Sequence, residues 1–96
     1  MNMVITTIEV KPENMDEFVR IWREGSTDVK PFNGFKEGYL ITNRDLGKVA
    51  IVGLWETQAD AVAFGSSNVF QTVMSKLKPL ATNQPVREMF EISAQI

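Results

Sequence analysis

The sequence predicts an α+β domain with the ferredoxin-like order β-α-β-β-α-β, an antiparallel sheet and helices on one face. Two observations predict this fold class. Four stretches rich in β-branched and apolar residues lie between turn residues, and two longer segments repeat apolar residues at helical spacing. The chain has 96 residues, a length typical of one domain, so we assign residues 1–96 to a single domain.

The first strand is predicted over residues 3–10, which are rich in β-branched residues and precede Lys11-Pro12. One face of this strand is apolar except for Thr6. The hydroxyl of Thr6 either bonds locally in a valine-shaped site or points into a pocket, and both interpretations stay open. The other members of this face are Val4, Ile8 and Val10.

The first helix is predicted from residue 12 to about residue 30, before Pro31. Pro12 suits the first turn, and Glu13 and Asp16 place negative charge near the positive end of the helix. Apolar residues recur at positions i, i+3, i+4 and i+7, which is the spacing of one helical face. This stripe consists of Met15, Phe18, Val19 and Trp22.

A hairpin is predicted next. Its first strand, Phe35–Asn43, contains Gly38, and a glycine inside a strand often marks a bulge or a close backbone approach. The polar turn at residues 44–47 leads to an antiparallel strand, Lys48–Trp55. This third strand is apolar on both faces, so it needs cover on both sides.

The segment after the third strand predicts an interrupted helix. Thr57 is placed to cap its first turn, with the negative charge of Asp60 three residues later. Residues 65–66, a glycine and a serine, interrupt the helix, and Ser67 is placed to cap a second piece. A fourth strand is predicted over residues 86–94. The apolar stripe of the second helical piece consists of Phe70, Val73, Met74 and Leu77.

Two absent residue types restrict the chemistry. The chain has no cysteine, which removes disulfides, thiolate nucleophiles and iron–sulfur clusters. It has no histidine, which removes the usual general base, the usual proximal haem ligand and the commonest transition-metal ligand. We therefore expect no metal and no cofactor, and any catalysis must use other side chains or depend mainly on the substrate.

The charge pattern bears on partners and location. The net charge is −2 and the basic residues are scattered, so we expect neither nucleic acid nor a membrane surface as a partner. No apolar run approaches the roughly 20 residues that span a bilayer. The first residues also lack the pattern of a secretion signal, so we expect a cytoplasmic protein.

Three stretches of the chain carry a likeness to a known family. They are Val10-Lys11-Pro12 with Phe18 and Trp22, residues 31–35 ending in Gly34-Phe35, and Leu54-Trp55-Glu56-Thr57 with Phe64, residues 67–70 and a helix end near Leu77. In order and spacing they resemble the antibiotic biosynthesis monooxygenase family, whose members form dimeric α+β barrels. The resemblance implies the fold more specifically than the reaction, because the family includes cofactor-free oxygenases, quinol oxygenases and haem-degrading enzymes.

Two branches of that family imply different chemistry. The haem-degrading members use an asparagine, a tryptophan and a histidine, and the matching positions here are Thr6, Phe64 and Met74, so we do not expect haem. The cofactor-free members hold a small aromatic substrate between helices and sheet. That substrate loses a proton and then donates an electron to oxygen, while the protein supplies shape, excludes water and stabilises the anion.

The resemblance implies a pocket on the helix-facing side of the sheet. Simple core packing would explain its aromatic and methionine residues equally well. Tyr39, the only phenol, would either hydrogen-bond an enolate or lie with its hydroxyl in water, and Trp55 would face either the pocket or a dimer interface. The expected lining residues are Thr6, Phe18, Trp22, Tyr39, Trp55, Phe64, Phe70 and Met74.

Two functions are expected from this pattern. The first is a cofactor-independent monooxygenase acting on a small aromatic or quinol-type substrate, and the alternative is a non-catalytic dimer that binds a small ligand. A structural role would be favoured if no cavity of roughly 300 Å³ or more exists. We also expect a homodimer, because helices on one face leave the other, apolar face of the sheet uncovered.

Overall fold

The computed structural model describes residues 1–96, and its elements follow the predicted order. Four antiparallel strands form one sheet, and three helices cover one of its faces, which is the predicted ferredoxin-like arrangement. The strands are β1 (Asn2–Glu9), β2 (Phe35–Asn43), β3 (Lys48–Trp55) and β4 (Val86–Glu91). The helices are α1 (Met15–Ser26), α2 (Gln58–Gly65) and α3 (Asn68–Leu77), and the strand order across the sheet is β2-β3-β1-β4.

Element ends differ from the prediction in two places. The first helix was expected to reach about residue 30, but α1 ends at Ser26 and short 3₁₀ turns, Pro12–Asn14 and Thr27–Val29, flank it. The fourth strand was expected to reach residue 94, but β4 ends at Glu91. Glu91 pairs with Asn2, where β1 begins, and after one further bond, from the Ile92 N–H to the Met1 carbonyl at 2.9 Å, no β1 residue remains to pair with.

Both predicted helix caps are confirmed. The Asp60 backbone N–H donates to the Thr57 hydroxyl at 3.1 Å, and the Phe70 backbone N–H donates to the Ser67 hydroxyl at 3.2 Å. These bonds satisfy amide groups that a helix start leaves without a partner. The interruption therefore ends α2 and begins a separate helix, α3, whose first turn is capped by Ser67.

The register of the central strand β1 determines which side chains face the helices. Thr6 pairs with Ile51 of β3 and with Arg87 of β4, so these three side chains share one face. Trp55 lies on this helix-facing side and is 2% exposed, which decides the question left open by its two-sided strand. The opposite side, which we call the open face, carries four exposed apolar or aromatic residues, namely Tyr39, Ile41, Val86 and Phe90.

Buried side chains form two groups between the helices and the sheet. The larger group packs α1 and α3 on the sheet around Phe18 and Leu77, which are fully buried. The smaller group surrounds Trp55 and Ala61 at the start of α2. Between these two groups the helix-facing side of the sheet is not completely filled.

Candidate functional site

A small cavity of about 70 Å³ lies between the sheet and the helices. Its walls belong to both buried groups, because Ile51 and Phe70 border it from one side and Val4 and Trp55 from the other. All four strands, all three helices and the turn after α1 contribute lining residues. Five of the residues predicted to line a pocket do so, namely Thr6, Trp22, Trp55, Phe64 and Phe70.

Two glycines belong to the lining of this cavity. Gly38 of β2 and Gly53 of β3 are direct cross-strand partners on the helix-facing side. A Cβ atom on Gly53 would lie 2.9 Å from Nε1 of Trp55, and one on Gly38 would lie 3.4 Å from the Phe35 ring. The two glycines therefore let the Trp55 indole and the Phe35 ring lie against the backbone of the sheet, and a side chain at Gly53 would displace the indole.

Aromatic rings form the wall of the cavity nearest to α2. The Phe64 ring lies 5.1 Å from Trp55, 5.0 Å from Phe32 and 5.6 Å from Phe70, measured between ring centroids. Trp55 in turn meets Phe35 edge to face at 5.4 Å. Edge-to-face and tilted contacts at these distances are favourable and hold rings in defined orientations. The wall is therefore rigid and apolar.

Arg87 is the one charged residue of the cavity lining. Its Nη2 donates to the carbonyl of Ala61 at 3.2 Å, and its guanidinium lies 5.1 Å from the centre of the Phe70 ring. Its Nε is buried and has no hydrogen-bond partner, and no carboxylate pairs with the group. Burial lowers the pKa of the Arg87 guanidinium because desolvation disfavours the charged form. Arginine remains charged at neutral pH, so this cavity holds a fixed positive charge.

Sequence reasoning missed Arg87, although one signal for it was present. In the fourth strand, alternation places Arg87 on the same side as Met89, and Met89 packs on the buried group around Trp55. A charged residue at an inward position of a short strand conflicts with simple core packing. That conflict marks Arg87 as a residue with a role beyond the hydrophobic core.

Three of the predicted lining residues do not border this cavity, although one of them, Tyr39, borders an open groove beside it. Tyr39 lies on the open face, 51% exposed, because it pairs with Val52 and strand alternation turns both away from the helices. Phe18 and Met74 belong to the buried group between α1 and α3 and do not border the cavity. Their helical spacing correctly indicated an inward face but could not distinguish core from cavity.

An open groove of about 420 Å³ adjoins the cavity between the end of α1 and the edge strand β2. The cavity alone is smaller than the roughly 300 Å³ that is usual for ligand sites, and the groove extends it to the surface. Five residues line both spaces, so the two spaces lie directly next to each other. They are Trp22, Ser26, Val29, Phe35 and Gly38.

The chemical capacity of the site follows from its side chains. No aspartate or glutamate lines the cavity, so no general base of the carboxylate type is present there. Its polar side-chain groups are the hydroxyls of Thr6 and Ser26, the tryptophan N–H groups and the Arg87 guanidinium. No group of carboxylates in the structure is arranged to hold a metal ion. The cavity thus combines apolar aromatic walls with one positive charge.

The fold and this cavity define a ferredoxin-like α+β domain with an aromatic-lined space under its helices. The antibiotic biosynthesis monooxygenase family matches residues 1–76, and the chain belongs to this family. A comparison with curated protein sequences gave no match. No helix of the structure is both long enough and apolar enough to cross a membrane.

Solved structures show the same fold at low sequence identity. SnoaB, a cofactor-independent oxygenase from Streptomyces nogalater, superposes with a TM-score of 0.82 at 15% identity, over 99% of this chain and 95% of SnoaB. Rv0793 from Mycobacterium tuberculosis has a TM-score of 0.82 at 12% identity, over 98% of this chain and 96% of that protein. A conserved protein from Methanosarcina mazei has a TM-score of 0.82 at 13% identity, over 93% and 89%. At these identities the likeness shows the fold alone.

Proposed function

We propose that the protein is a cofactor-independent monooxygenase that oxidises a small aromatic or quinol-type substrate held between helices and sheet. The observation that carries this proposal is a cavity walled by aromatic rings that contains one unpaired cation and no carboxylate. Membership of the monooxygenase family and the shared fold of the oxygenase SnoaB support it.

In this reaction the substrate carries most of the chemistry. A weakly acidic substrate loses a proton to solvent, and the Arg87 guanidinium stabilises the resulting anion by a charge-assisted hydrogen bond. The anion transfers one electron to O₂, and the substrate radical and superoxide combine to form a C–O bond. The peroxide takes up a proton from solvent, the carbon that carries it loses its remaining C–H proton to solvent, and the O–O bond breaks. That carbon becomes a carbonyl, and the second oxygen atom leaves as hydroxide, which takes up a proton to form water. The aromatic walls exclude water from the radical pair.

The test is oxygen uptake with a panel of anthrones and quinols, measured against the spontaneous rate. We expect acceleration with at least one of them, and we expect Arg87→Gln to reduce the enzymatic rate by about 10²-fold, as removal of an oxyanion-stabilising donor does. Arg20→Gln is the matched control, because Arg20 pairs with Glu17 and Glu24 on the exposed side of α1. No acceleration with any compound would overturn the proposal.

A second candidate is a non-catalytic dimer that binds a small ligand. The observation that favours it is the small inner volume of about 70 Å³ together with the absence of an acid–base group. It predicts a retained small molecule in native mass spectrometry and no oxygen uptake. Oxygen uptake that responds to Arg87→Gln would exclude it.

A further inference from the structure

The segment between α1 and β2 contains an asparagine followed directly by a glycine, Asn33-Gly34. The chain has six asparagines, and only this one precedes a glycine. A glycine has no Cβ atom to hinder the approach of its backbone nitrogen to the side-chain carbonyl of the residue before it. Asn33 is therefore the asparagine of this chain that can most easily close a ring onto the main chain and lose its amide group.

Two structural features keep this chemistry available in the folded chain. The Gly34 backbone N–H donates to no protein group, because Gly34 lies outside the helices and strands and none of the turn and cap bonds uses it. Asn33 is exposed, so water and hydroxide reach its side chain. The attacking nitrogen is thus free of a hydrogen bond that would have to break first, and the carbonyl that it attacks is solvated.

The Asp60 carboxylate contacts both residues of the pair. Its Oδ1 accepts a hydrogen bond from Nδ2 of Asn33 at 3.0 Å, and a Cβ atom on Gly34 would overlap the carboxylate. Its Oδ2 accepts from the hydroxyl of Thr57, the residue that caps α2. Phe32, the residue before the pair, packs edge to face on the aromatic wall of the cavity. A change of charge at position 33 therefore acts on the start of α2 and on that wall.

We propose that Asn33 is a site of spontaneous deamidation, and that the product carboxylate, which faces Asp60, loosens the start of α2. The Gly34 amide nitrogen loses its proton to hydroxide and attacks the side-chain carbonyl carbon of Asn33. The new C–N bond closes a succinimide ring, and the side-chain nitrogen takes up a proton and leaves as ammonia. Water then opens the ring. Cleavage between the side-chain carbonyl and the nitrogen gives aspartate, and cleavage between the main-chain carbonyl and the nitrogen gives isoaspartate.

Either product places a negative charge where an amide donated a hydrogen bond. The Asp60 carboxylate loses that bond and faces a like charge at short distance, which is unfavourable. Isoaspartate also adds one carbon to the main chain of a turn in which the Gly34 carbonyl accepts from the Glu56 N–H at 2.7 Å. The modified chain is therefore less stable at the start of α2. This inference is independent of the oxidation proposed above.

The modification is tested by incubating the native protein in mildly alkaline buffer and analysing its peptides by mass spectrometry. Exchange of NH₂ for OH at position 33 should appear at least about tenfold faster than at any other asparagine. Asn33→Gln is the control, because its longer side chain must close a larger, less favourable ring, and it should stay unmodified. An unmodified Asn33 in the folded protein, under conditions in which a synthetic peptide of residues 28–38 reacts, would overturn the proposal.

The consequence for α2 is tested with Asn33→Asp in a denaturant titration. We expect the folding equilibrium constant to fall about three- to tenfold, because an exposed hydrogen bond to a carboxylate is replaced by a contact of like charges. Adding Asn33→Asp to Asp60→Asn restores an amide–carboxylate pair with exchanged roles, so the loss should be much smaller in that background. The matched control is Asn43→Asp, which keeps the bond that the Asn43 side-chain oxygen accepts from the Leu46 N–H. Equal effects of Asn33→Asp and Asn43→Asp would overturn the link between deamidation and the start of α2.

Discussion

The pKa of Tyr39 depends on one neighbouring residue, Glu37. Its hydroxyl donates a 2.8 Å hydrogen bond to the Glu37 carboxylate, and this bond, with the negative charge of Glu37, raises the pKa of Tyr39 above its ordinary value. Because the native pKa is raised, the hydrogen bond makes its full contribution to folding stability below about pH 10. This contribution is lost as the pH rises through the native pKa. The phenol therefore stays protonated at neutral pH.

We predict a tyrosine pKa above 10 in the native protein, measured by absorbance at 295 nm against pH. The chain has one tyrosine, so the signal belongs to Tyr39. Glu37→Ala should lower the pKa, because it removes both the hydrogen bond and the negative charge. Glu13→Ala, which removes an equal charge from the start of the first helical segment, should leave it raised. A native pKa at or below 10 would show that the hydrogen bond to Glu37 does not form in solution.

At the scale of single residues, the sequence could assign a side chain to one face of its strand only where the two faces differ in polarity. Thr6 was placed on the correct face of its strand, because the residues two positions away on either side are apolar. Trp55 could not be placed, because both faces of its strand are apolar and alternation alone does not select one. The pairing of Trp55 with Asn2 determines which face Trp55 occupies. This pairing joins residues far apart in the sequence, so local patterns do not reveal it.

At the scale of elements, α2 depends on its cap. The helix has eight residues, which is too short to be stable without tertiary contacts and end bonds. Thr57 accepts from the Asp60 N–H, and its hydroxyl also donates to the Asp60 carboxylate at 2.9 Å. The carboxylate additionally accepts a bond from Nδ2 of Asn33, so this cap ties the helix start to the turn before β2.

We predict that Thr57→Ala lowers the free energy of unfolding by about 0.5–2 kcal/mol in a denaturant titration. Thr72→Ala is the matched control, because Thr72 lies exposed within α3 and alanine there loses no cap and gains helix propensity. The control should be neutral or slightly stabilising. Equal effects of the two changes would show that the cap bond contributes nothing to stability.

Element existence was predictable because its signals are local. Hydrophobic period, cap residues and turn residues lie within a few positions of one another, and they correctly located four strands and two helix starts. The cavity was less predictable because all four strands and all three helices contribute to its lining, and residues such as Gly38 and Gly53, fifteen positions apart, meet only through sheet pairing. Arg87 was missed because its inward direction depends on the same sheet pairing and its charge suggested a solvent position.

At the scale of the whole molecule, the open face is the surface where we predict a partner. Tyr39, Ile41, Val86 and Phe90 are each 46–56% exposed there. Ile5, Val52 and Leu54 lie between them on the same side of the sheet. Contiguous apolar patches of this kind, several hundred Å² in area, are uncommon on monomeric proteins. A second copy packed face to face by a two-fold rotation would cover the patch with an identical one.

We predict a homodimer in sedimentation at micromolar concentration, and we predict that Ile41→Glu shifts it to a folded monomer. Ile41 is 56% exposed in the single chain, so a charge there is costly only when a partner buries it. Val52→Lys, at the centre of the face, should either separate the subunits or unfold the chain. Val62→Lys is the matched control, because Val62 is 48% exposed on α2 on the helix side and should leave the dimer intact. A folded native monomer would refute the assembly, and a dimer that survives Ile41→Glu would place the interface elsewhere.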